Sequence, residues 1–332
     1  MSNIVTITLN PALDVSTSVE RIVPVHKLRC AAERRDPGGG GVNVARVISR
    51  LGGTATAIYP AGGPIGDYLQ RLLREEGVES RVVPIHGVTR ESFTVVEQQS
   101  GDEYRFVLPG PGLEAEEFAA CLNAIAQMGC PPFVVASGSL PPGAPADAYA
   151  QLAARARACG ARFVVDASGE ALRRALNEGV YLAKPNQREL RELIGAALED
   201  EASLAAAARE LTRGGRAEVV AVSRGAQGAL LVTADETWTA DAIQAPIVSS
   251  VGAGDSFLAA LIWSLGRGDD LETAFRYALA GGAASLMAAG TSLCSKADVE
   301  RLAQTAAVHR GGGFSRAPRP RHGPSRPGNC PG

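Results

Sequence analysis

Lysine is scarce in this chain, which has only Lys27, Lys184 and Lys296 among its 33 basic residues. The formal net charge of the 332 residues is -2, so there is no basic excess that would favour a nucleic acid partner. Long apolar runs are also missing, and residues 1–9 lack the charged and apolar regions of a signal peptide. We therefore expect a cytoplasmic protein that does not bind a membrane.

Cysteine occurs six times without any Cys-x-x-Cys spacing. Such scatter is typical of buried or free thiols and argues against a disulfide framework or a zinc site. The Gly-x-x-x-x-Gly-Lys-Ser/Thr motif is absent, and no Gly-x-Gly-x-x-Gly motif follows the early strands. These absences argue against nucleotide binding through a Walker A loop or a Rossmann fold.

Two glycine-rich segments lead directly into apolar helical patterns. One is residues 250–256, Ser-Val-Gly-Ala-Gly-Asp-Ser, and the other is residues 37–46, which begin Pro-Gly-Gly-Gly-Gly-Val-Asn. Small residues at a helix entrance leave backbone N–H groups uncovered, and the positive end of the helix dipole attracts a phosphate oxygen there. Asp255 then places a potential base beside a phosphate. From these residues alone, an ordinary aspartate near a helix start is the alternative.

The positions of the lysines point the same way. A chain that uses arginine for most of its surface charge has reason to keep lysine where a compact ammonium is needed, as at a phosphate. Lys184 follows a predicted strand and opens the segment Lys-Pro-Asn-Gln-Arg-Glu, and Lys27 precedes a predicted strand at residues 28–32. Chance retention of these lysines is the alternative.

Apolar runs alternate with helical patterns along most of the chain, which predicts a mostly parallel, doubly wound α/β sheet with helices on both faces. The predicted strands are residues 5–9, 55–61, 133–136, 162–166, 180–183, 219–223 and 229–232. The predicted helices are residues 41–51, 65–76, 114–128, 145–159, 170–177, 187–195, 203–213, 253–265, 271–288 and 296–306. Ligands of such sheets bind at the carboxyl ends of the strands. Polar motifs fall there at residues 10–14, 137–142, 166–169, 184–189 and 223–228.

Residues 17–33 and 91–107 interrupt this alternation with β-rich, charged sequence. They predict a small separate sheet that acts as a lid or pairs with a second subunit, and a plain surface hairpin is the alternative. Residues 1–310 are expected to form one domain. Residues 311–332 contain six Gly, five Pro and four Arg without any acidic residue, which predicts a disordered tail.

Five motifs occur together in this chain. They are Thr-Leu-Asn-Pro-Ala-Leu-Asp at residues 8–14, the glycine segment at 38–43, Ser-Gly-Ser-Leu-Pro-Pro-Gly at 137–143, Lys-Pro-Asn at 184–186 and Gly-Ala-Gly-Asp at 252–255. With them the chain resembles the PfkB/ribokinase-type sugar kinases over residues 1–309. The resemblance implies a ribokinase-like α/β domain, a β-sheet lid that commonly serves as a dimer interface, and MgATP as phosphoryl donor.

The resemblance also implies roles for single residues where this sequence matches the family motifs. Asp255 is expected to take a proton from the acceptor hydroxyl, and the amides of Gly252, Ala253 and Gly254 to hold the transferring phosphoryl group. The residues expected around the sugar are Asp14, Gly39, Gly40 and Asn43. The candidates for the sugar phosphate are Lys27, Arg90, Arg105 and Ser139. Guanidinium groups suit bidentate phosphate contacts, although each arginine taken singly is equally consistent with a solvated surface charge.

On the nucleotide side, the resemblance implies ATP contacts with Lys184, Asn186, Ser223, Gly225 and Gly228. Asn186 and Glu189 match an Asn-x-x-Glu element linked to Mg²⁺, which prefers oxygen ligands and often keeps its waters. Pairing of Glu189 with a neighbouring arginine is the alternative. Family members often bind a monovalent cation such as K⁺ through backbone carbonyls. The corresponding residues are Ser249, Val251, Ser285, Ala288, Gly290 and Ser292, and because carbonyl ligation depends little on the side chain, the sequence leaves this site open.

Gly40 bears on the choice of acceptor. Kinases of this family that act on fructose 1-phosphate or tagatose 6-phosphate usually carry Gly-Gly-Lys-Gly before the Asn, and here Gly40 stands in the Lys place. That favours phosphorylation of fructose 6-phosphate at its C1 hydroxyl, a glycolytic step. The alternatives are a kinase for tagatose 6-phosphate or fructose 1-phosphate and a non-catalytic sugar-phosphate sensor. The intact Asp255 argues against the sensor.

Overall fold

A computed structural model describes residues 3–288, 290 and 292–311. Within these residues one large sheet is formed by ten strands: β1 (Ile4–Ile7), β4 (Ala55–Ala61), β5 (Glu79–Pro84), β8 (Phe133–Ser137), β9 (Arg162–Asp166), β10 (Val180–Ala183), β11 (Ala217–Ser223), β12 (Ala229–Val232), β13 (Thr237–Ala240) and β14 (His309–Gly311). Their spatial order is β14-β13-β12-β11-β10-β9-β8-β1-β4-β5. In this spatial order, every neighbouring pair between β5 and β11 is parallel. β12, β13 and β14 continue the sheet beyond β11 as antiparallel strands. The predicted mostly parallel sheet is therefore confirmed.

Helices cover both faces of this sheet, as predicted. Those in the described part of the chain are α1 (Gly40–Arg50), α2 (Gly63–Glu75), α3 (Ala115–Ala126), α4 (Ala148–Ala158), α5 (Gly169–Glu178), α6 (Gln187–Ile194), α7 (Glu201–Arg213), α8 (Ala253–Gly266), α9 (Leu271–Leu286) and α10 (Lys296–Ala303). Successive strand residues enter opposite layers of core: Val134 packs in one cluster with Tyr149 of α4, and Val135 packs in the other with Leu258 of α8. The doubly wound arrangement follows from strands that are buried on both faces.

A second, smaller sheet consists of β2 (Ala12–Val19), β3 (Arg34–Gly38), β6 (Arg90–Glu97) and β7 (Glu103–Val107). β2 lies between β3 and β6, antiparallel to β3 and parallel to β6, and β7 is antiparallel to β6. Because β2 follows shortly after β1 and β3 leads directly into α1, this sheet stands at the carboxyl end of the large one.

The small sheet differs from the prediction in its N-terminal half. β2 ends at Val19, no strand is formed over residues 20–33, and the predicted strand at residues 28–32 is wrong. Most of residues 20–33 are exposed, so a strand there would have no apolar face to bury. Residues 34–38 pair with β2 instead.

The sequence pattern does not predict β5, β13 or β14. β5 lies at the sheet edge with Glu79, Arg81 and Pro84 exposed, and the three residues of β14 are all exposed. Gly311, which composition assigns to a disordered tail, pairs with Thr237 in the register of β14. Residues 312–332, the rest of that predicted tail, lie outside the described residues.

The thiols and the helix lengths agree with the sequence where they are described. Cys30, Cys121, Cys130, Cys159 and Cys294 are all free, and Cys330 lies outside the described part of the chain. Among the described helices, none has both the length and the apolar character that a membrane span needs.

Candidate active site

A cavity of about 460 Å³ opens between the small sheet and the carboxyl ends of β8 and β9. Its wall combines the start of α1, the ends of these strands and the first turn of α8. The structure brings these predicted site residues to it: Asp14, Gly39, Gly40, Asn43, Arg90, Arg105, Ser139, Glu189, Val251, Gly252, Gly254 and Asp255. Segments distant in sequence thus meet where an α/β sheet is expected to bind its ligand.

Two glycines at the start of α1 leave its backbone bare toward this cavity. Gly39, the N-cap residue, has φ of +107°, and a Cβ there would lie 2.7 Å from Thr8 Cγ2. A Cβ on Gly40 would lie only 2.1 Å from Ser137 Oγ. Because the first amides of a helix have no acceptor within the helix, the uncovered backbone of these two glycines is available to a ligand.

Asp255 lies in the first turn of α8, which begins after the left-handed residue Gly252 (φ +76°). The carboxylate is partly buried and accepts a hydrogen bond of 2.9 Å from Asn43 Nδ2. Burial, and then the Asp166 carboxylate, raise the pKa of Asp255 to about 7, whereas Asn43 and Lys184 act in the opposite direction. A carboxyl group with a pKa near neutrality is suited to accept a proton from a hydroxyl group.

Lys184, at the end of β10, is buried beside this carboxylate. Its Nζ lies 3.1 Å from Asp166 Oδ1, and Ser137 Oγ donates to Asp166 Oδ2 over 3.4 Å. Burial alone would lower the pKa of Lys184, but the nearby carboxylates, that of Asp166 above all, raise it above the ordinary value. Lys184 therefore carries a fixed positive charge next to Asp255.

Asp166 and Ser137 are the site residues that sequence reasoning missed. Both line the cavity, but the motif at residues 137–143 points to Ser139, and the polar stretch at residues 166–169 assigns no role to Asp166. The available signal was that each residue ends a buried strand of a parallel sheet. The two residues are partners on the adjacent strands β8 and β9, which could not be deduced without the strand order.

The opposite wall of the cavity carries two arginines and a carboxylate. Asp14 on β2 lies near Arg90 on β6 and Arg105 on β7; burial raises its pKa to about 6, although both guanidinium groups lower it. Burial lowers the pKa of Arg90, and Asp14 partly offsets this. Arg90 also donates to the carbonyls of Asn10 (3.0 Å) and Leu108 (2.9 Å), which fixes its position. This wall combines donors for a phosphate with an acceptor for hydroxyl groups.

A second cavity of about 210 Å³ adjoins the first at Gly254, which lines both. Apolar side chains predominate in its wall, among them Ile243, Phe257 and Leu279, and the predicted nucleotide residues there are Ser223, Gly225 and Gly228. A Cβ on Gly228 would lie 1.9 Å from the Ala240 carbonyl oxygen, so no side chain fits. An apolar slot with a few polar groups suits a planar base.

Asn186 and Glu189 form the capping box of α6. Asn186 Oδ1 accepts from the Glu189 amide at 2.9 Å, and Glu189 Oε2 accepts from the Asn186 amide at 2.8 Å. The Asn186 oxygen is thus engaged in capping, whereas Glu189 also lines the larger cavity. The donor set fits Mg²⁺ held through the Glu189 carboxylate and its waters, with Asn186 fixing the start of the helix.

The residues predicted to offer carbonyls to a monovalent cation surround the loop before α8 and the end of α9. Val251 is linked to Ser249 by a 3.2 Å bond from its amide, and its carbonyl accepts from Ser285 Oγ at 3.4 Å. The Ser285 carbonyl accepts from the Ala288 amide at 3.1 Å, and Gly290 follows with φ of +53°. The Ser292 carbonyl accepts from Arg50 Nη1, so a guanidinium already supplies positive charge there. The Ser292 carbonyl therefore fits the predicted cation site poorly.

Three further residues that the sequence predicts for the site are Ser139, Ala253 and Lys27. Ser139 lines the larger cavity and accepts a 3.3 Å bond from Asn10 Nδ2. Ala253 lines the second cavity, and its amide faces the Ser250 carbonyl at 3.5 Å. Lys27 is exposed in residues 20–33 and is not among the residues that line either cavity.

Comparison with known proteins identifies the family of this chain. The model for the pfkB family of carbohydrate kinases matches residues 3–298. The chain is 48% identical over 305 residues to the ATP-dependent 6-phosphofructokinase isozyme 2 of Mycobacterium tuberculosis strain H37Rv, covering 92% of this chain and 90% of that protein.

Solved structures give the same result. Phosphofructokinase-2 from Escherichia coli in complex with substrates and products superimposes with a TM-score of 0.88 at 41% identity, covering 91% of this chain and 99% of that one. A structure of the same protein in complex with potassium gives a TM-score of 0.89 at 41% identity, with 92% and 99% covered. The ribokinase-like fold predicted from the motifs is therefore confirmed.

Proposed function

Because the chain belongs to the PfkB family of carbohydrate kinases, we propose that it transfers the γ-phosphoryl group of ATP to the C1 hydroxyl of fructose 6-phosphate. The products are fructose 1,6-bisphosphate and ADP. One observation carries the proposal: Asp255, with a pKa of about 7, lies at a helix N-terminus where a polar cavity meets an apolar one. That is the arrangement needed to bring a sugar hydroxyl to a nucleotide phosphate.

The acceptor would lie along the larger cavity. Arg90 and Arg105 would hold its 6-phosphate, since they are the cationic side chains among the residues that line this cavity. Asp14 and Asn43 would bind ring hydroxyls, with the bare backbone of Gly40 beside them. A phosphate at the arginine wall leaves the opposite end of the sugar, with its C1 hydroxyl, toward Asp255.

In the chemical step, a bond forms between the C1 oxygen and the γ-phosphorus while the bond from that phosphorus to the ADP oxygen breaks. Asp255 takes the proton of the C1 hydroxyl group. Charge on the phosphoryl group would be held by the backbone amides of Gly252 and Gly254 and by the ammonium of Lys184, because these donors are fixed before the reaction begins. Positioning and charge neutralisation of this kind account for most of the catalysis of phosphoryl transfer.

ATP would place its base in the apolar cavity near Gly225 and Gly228. Its phosphates would then run past Gly254 toward Asp255, because Gly254 lines both cavities. When Mg²⁺ is bound it neutralises phosphate charge. Glu189 would hold it, and Asn186 would orient Glu189.

The small sheet would serve as a lid and as the contact with a second copy of the chain. Its cavity face carries Ser92 and Arg105, and by strand alternation its outer face carries Phe93, Tyr104 and Phe106, which are 37%, 37% and 53% exposed. Exposed aromatic side chains on adjacent strands are typical of an interface. Phe106→Asp should shift sedimentation from a dimer toward a monomer, whereas a parent protein that sediments as a monomer contradicts this proposal.

The function is tested by initial rates of ADP production with MgATP and each of fructose 6-phosphate, tagatose 6-phosphate, fructose 1-phosphate and unphosphorylated hexoses. We expect the highest kcat/KM with fructose 6-phosphate. Preference for another sugar phosphate would overturn the acceptor and keep the mechanism. The absence of turnover with all of them would favour a sugar-phosphate sensor.

A further inference from the structure

Arg46, one turn beyond Asn43 in α1, is a fully buried arginine. Its guanidinium pairs with Glu76, with Nη2 to Oε1 at 2.6 Å and Nε to Oε2 at 2.9 Å. Nη1 donates to the Pro37 carbonyl at 2.8 Å. Buried charges need such partners, so these contacts account for the presence of a charge in the core.

One bond of this guanidinium leads toward the active site. Nη1 also donates to Asn43 Oδ1 at 3.2 Å, and Asn43 Nδ2 donates to Asp255 Oδ2 at 2.9 Å. A carboxamide has one acceptor oxygen and one donor nitrogen. With the oxygen engaged by Arg46, only the nitrogen is available to Asp255.

We propose that Arg46 is a positioning residue for the phosphoryl transfer, because it holds the Asn43 amide in the orientation that donates to the ionised Asp255. A donor facing a carboxylate favours its charged form. Without Arg46 the amide can turn over and present its oxygen, which favours the protonated acid. A protonated Asp255 cannot take the proton of the acceptor hydroxyl, so Arg46 acts on the base without touching the substrate.

Several other charged groups face Asp255 from neighbouring elements. Asp166 at the end of β9, Lys184 at the end of β10 and Asp14 on β2 all act on its ionisation. Arg90, Arg105 and Glu189 line the same cavity. Arg46 also lowers the pKa of Asp14. A test must therefore separate an effect that passes through Asn43 from one that passes through Asp14.

The first comparison is Arg46→Gln/Glu76→Gln against Glu76→Gln, since these two proteins differ only at residue 46. The glutamine amide ends two bonds short of the position of Nη1, so it does not replace the contact with Asn43. The acidic limb of kcat/KM for fructose 6-phosphate is measured at saturating MgATP. We expect the midpoint of this limb to lie about one pH unit higher in the double variant than in Glu76→Gln, because a charge-assisted hydrogen bond to Asp255 is lost. At pH values below the limb, kcat/KM of the double variant should be about tenfold lower.

Glu76→Gln alone should keep the limb of the parent protein while losing stability, because Arg46 still holds Asn43. If the glutamine pair does not fold, Arg46→Met/Glu76→Met against Glu76→Met gives the same comparison. Methionine keeps apolar volume at residue 46, and both proteins of this pair lack the 3.1 Å contact of Glu76 with Arg50. Equal limbs within either pair of proteins overturn the proposal.

The route is then tested in an Asn43→Ala background. If Arg46 acts through Asn43, its removal there causes no further shift of the acidic limb. A shift that persists undiminished would assign the effect to Asp14 and overturn the proposal. The inference rests on the proposed role of Asp255. Turnover by Asp255→Asn would contradict that role, whereas an inactive Asp255→Asn with equal limbs in the residue-46 pairs would contradict this inference alone.

Discussion

Lys184 Nζ lies 3.1 Å from Asp166 Oδ1, and the same nitrogen lies 3.5 Å from the point where a Cβ on Gly254 would be. Gly254 lines both cavities, so this ammonium is held directly behind the boundary between them. The partly buried Asp166 carboxylate lies on one side of the ammonium and the bare backbone of Gly254 on the other, and together they fix the position of the charge. The transferring phosphoryl group is expected at this boundary.

Lys184→Met should lower kcat about 10²- to 10³-fold, because a fixed donor to the developing charge is lost. It should also lower the free energy of unfolding by about 3–5 kcal/mol, since the Asp166 carboxylate loses its buried partner. Steady-state kinetics and urea unfolding measure the two effects. Lys296→Met, at an exposed pair with Glu300, is the control and should change stability by about 0.5 kcal/mol or less. A Lys184 variant that behaves like this control contradicts the assignment.

The pKa of about 7 for Asp255 predicts the pH dependence of catalysis. The base must be ionised, so kcat/KM is fully present above that pKa and falls about tenfold per pH unit as the pH drops below it. The pKa of Asp14, about 6, adds a second, lower step. A profile that stays flat down to pH 5 would contradict the environment described for Asp255.

Arg105→Gln should raise KM for fructose 6-phosphate about 10- to 100-fold, because a charged hydrogen bond to the phosphate is lost, with a smaller change in kcat. Arg105 is a cleaner choice than Arg90, whose guanidinium also supports two backbone carbonyls. Arg71→Gln on the exposed face of α2 is the matched control and should leave both constants unchanged. If KM for ATP rises instead, the arginine wall belongs to the nucleotide.

Much of the large sheet could be predicted because each of its central strands is a short apolar run followed by a turn and a helical pattern. Strands 55–61, 162–166, 180–183 and 229–232 have the predicted bounds. β5 and β14 could not be predicted because edge strands are partly exposed and carry charge, so their side chains show no continuous apolar signal. The strand at residues 34–38 could not be predicted because it forms only by pairing with β2.

Some residues of the candidate site could likewise be predicted from the sequence, and others could not. Asp255, Asn43 and Lys184 could be predicted because they stand in motifs, and the structure brings all three together. Asp166 could be placed only within a polar stretch at a strand end, and nothing in the local sequence of Arg46 separates it from other charged residues. Their importance comes from contacts at sequence separations of 18 and 30 residues, to Lys184 and to Glu76, which only the fold establishes.

Gly40→Ala should destabilise the protein by about 1–3 kcal/mol, because its Cβ would lie 2.1 Å from Ser137 Oγ and 2.9 Å from the Ser137 carbonyl carbon. No positive φ is involved at this position, so the cost comes from the contact and not from the backbone conformation. The same change made in a Ser137→Gly background lacks the nearest atom and should cost less in urea unfolding. An equal cost in both backgrounds would show that Ser137 does not reserve this position for glycine.

The central claim, that Asp255 is the base at the meeting point of the two cavities, is tested most directly by the turnover of Asp255→Asn with MgATP and fructose 6-phosphate. The amide keeps the size of the side chain and cannot take a proton, so kcat should fall about 10²- to 10⁴-fold while ATP binding, measured by calorimetry, is retained. Turnover close to that of the parent protein would contradict the mechanism.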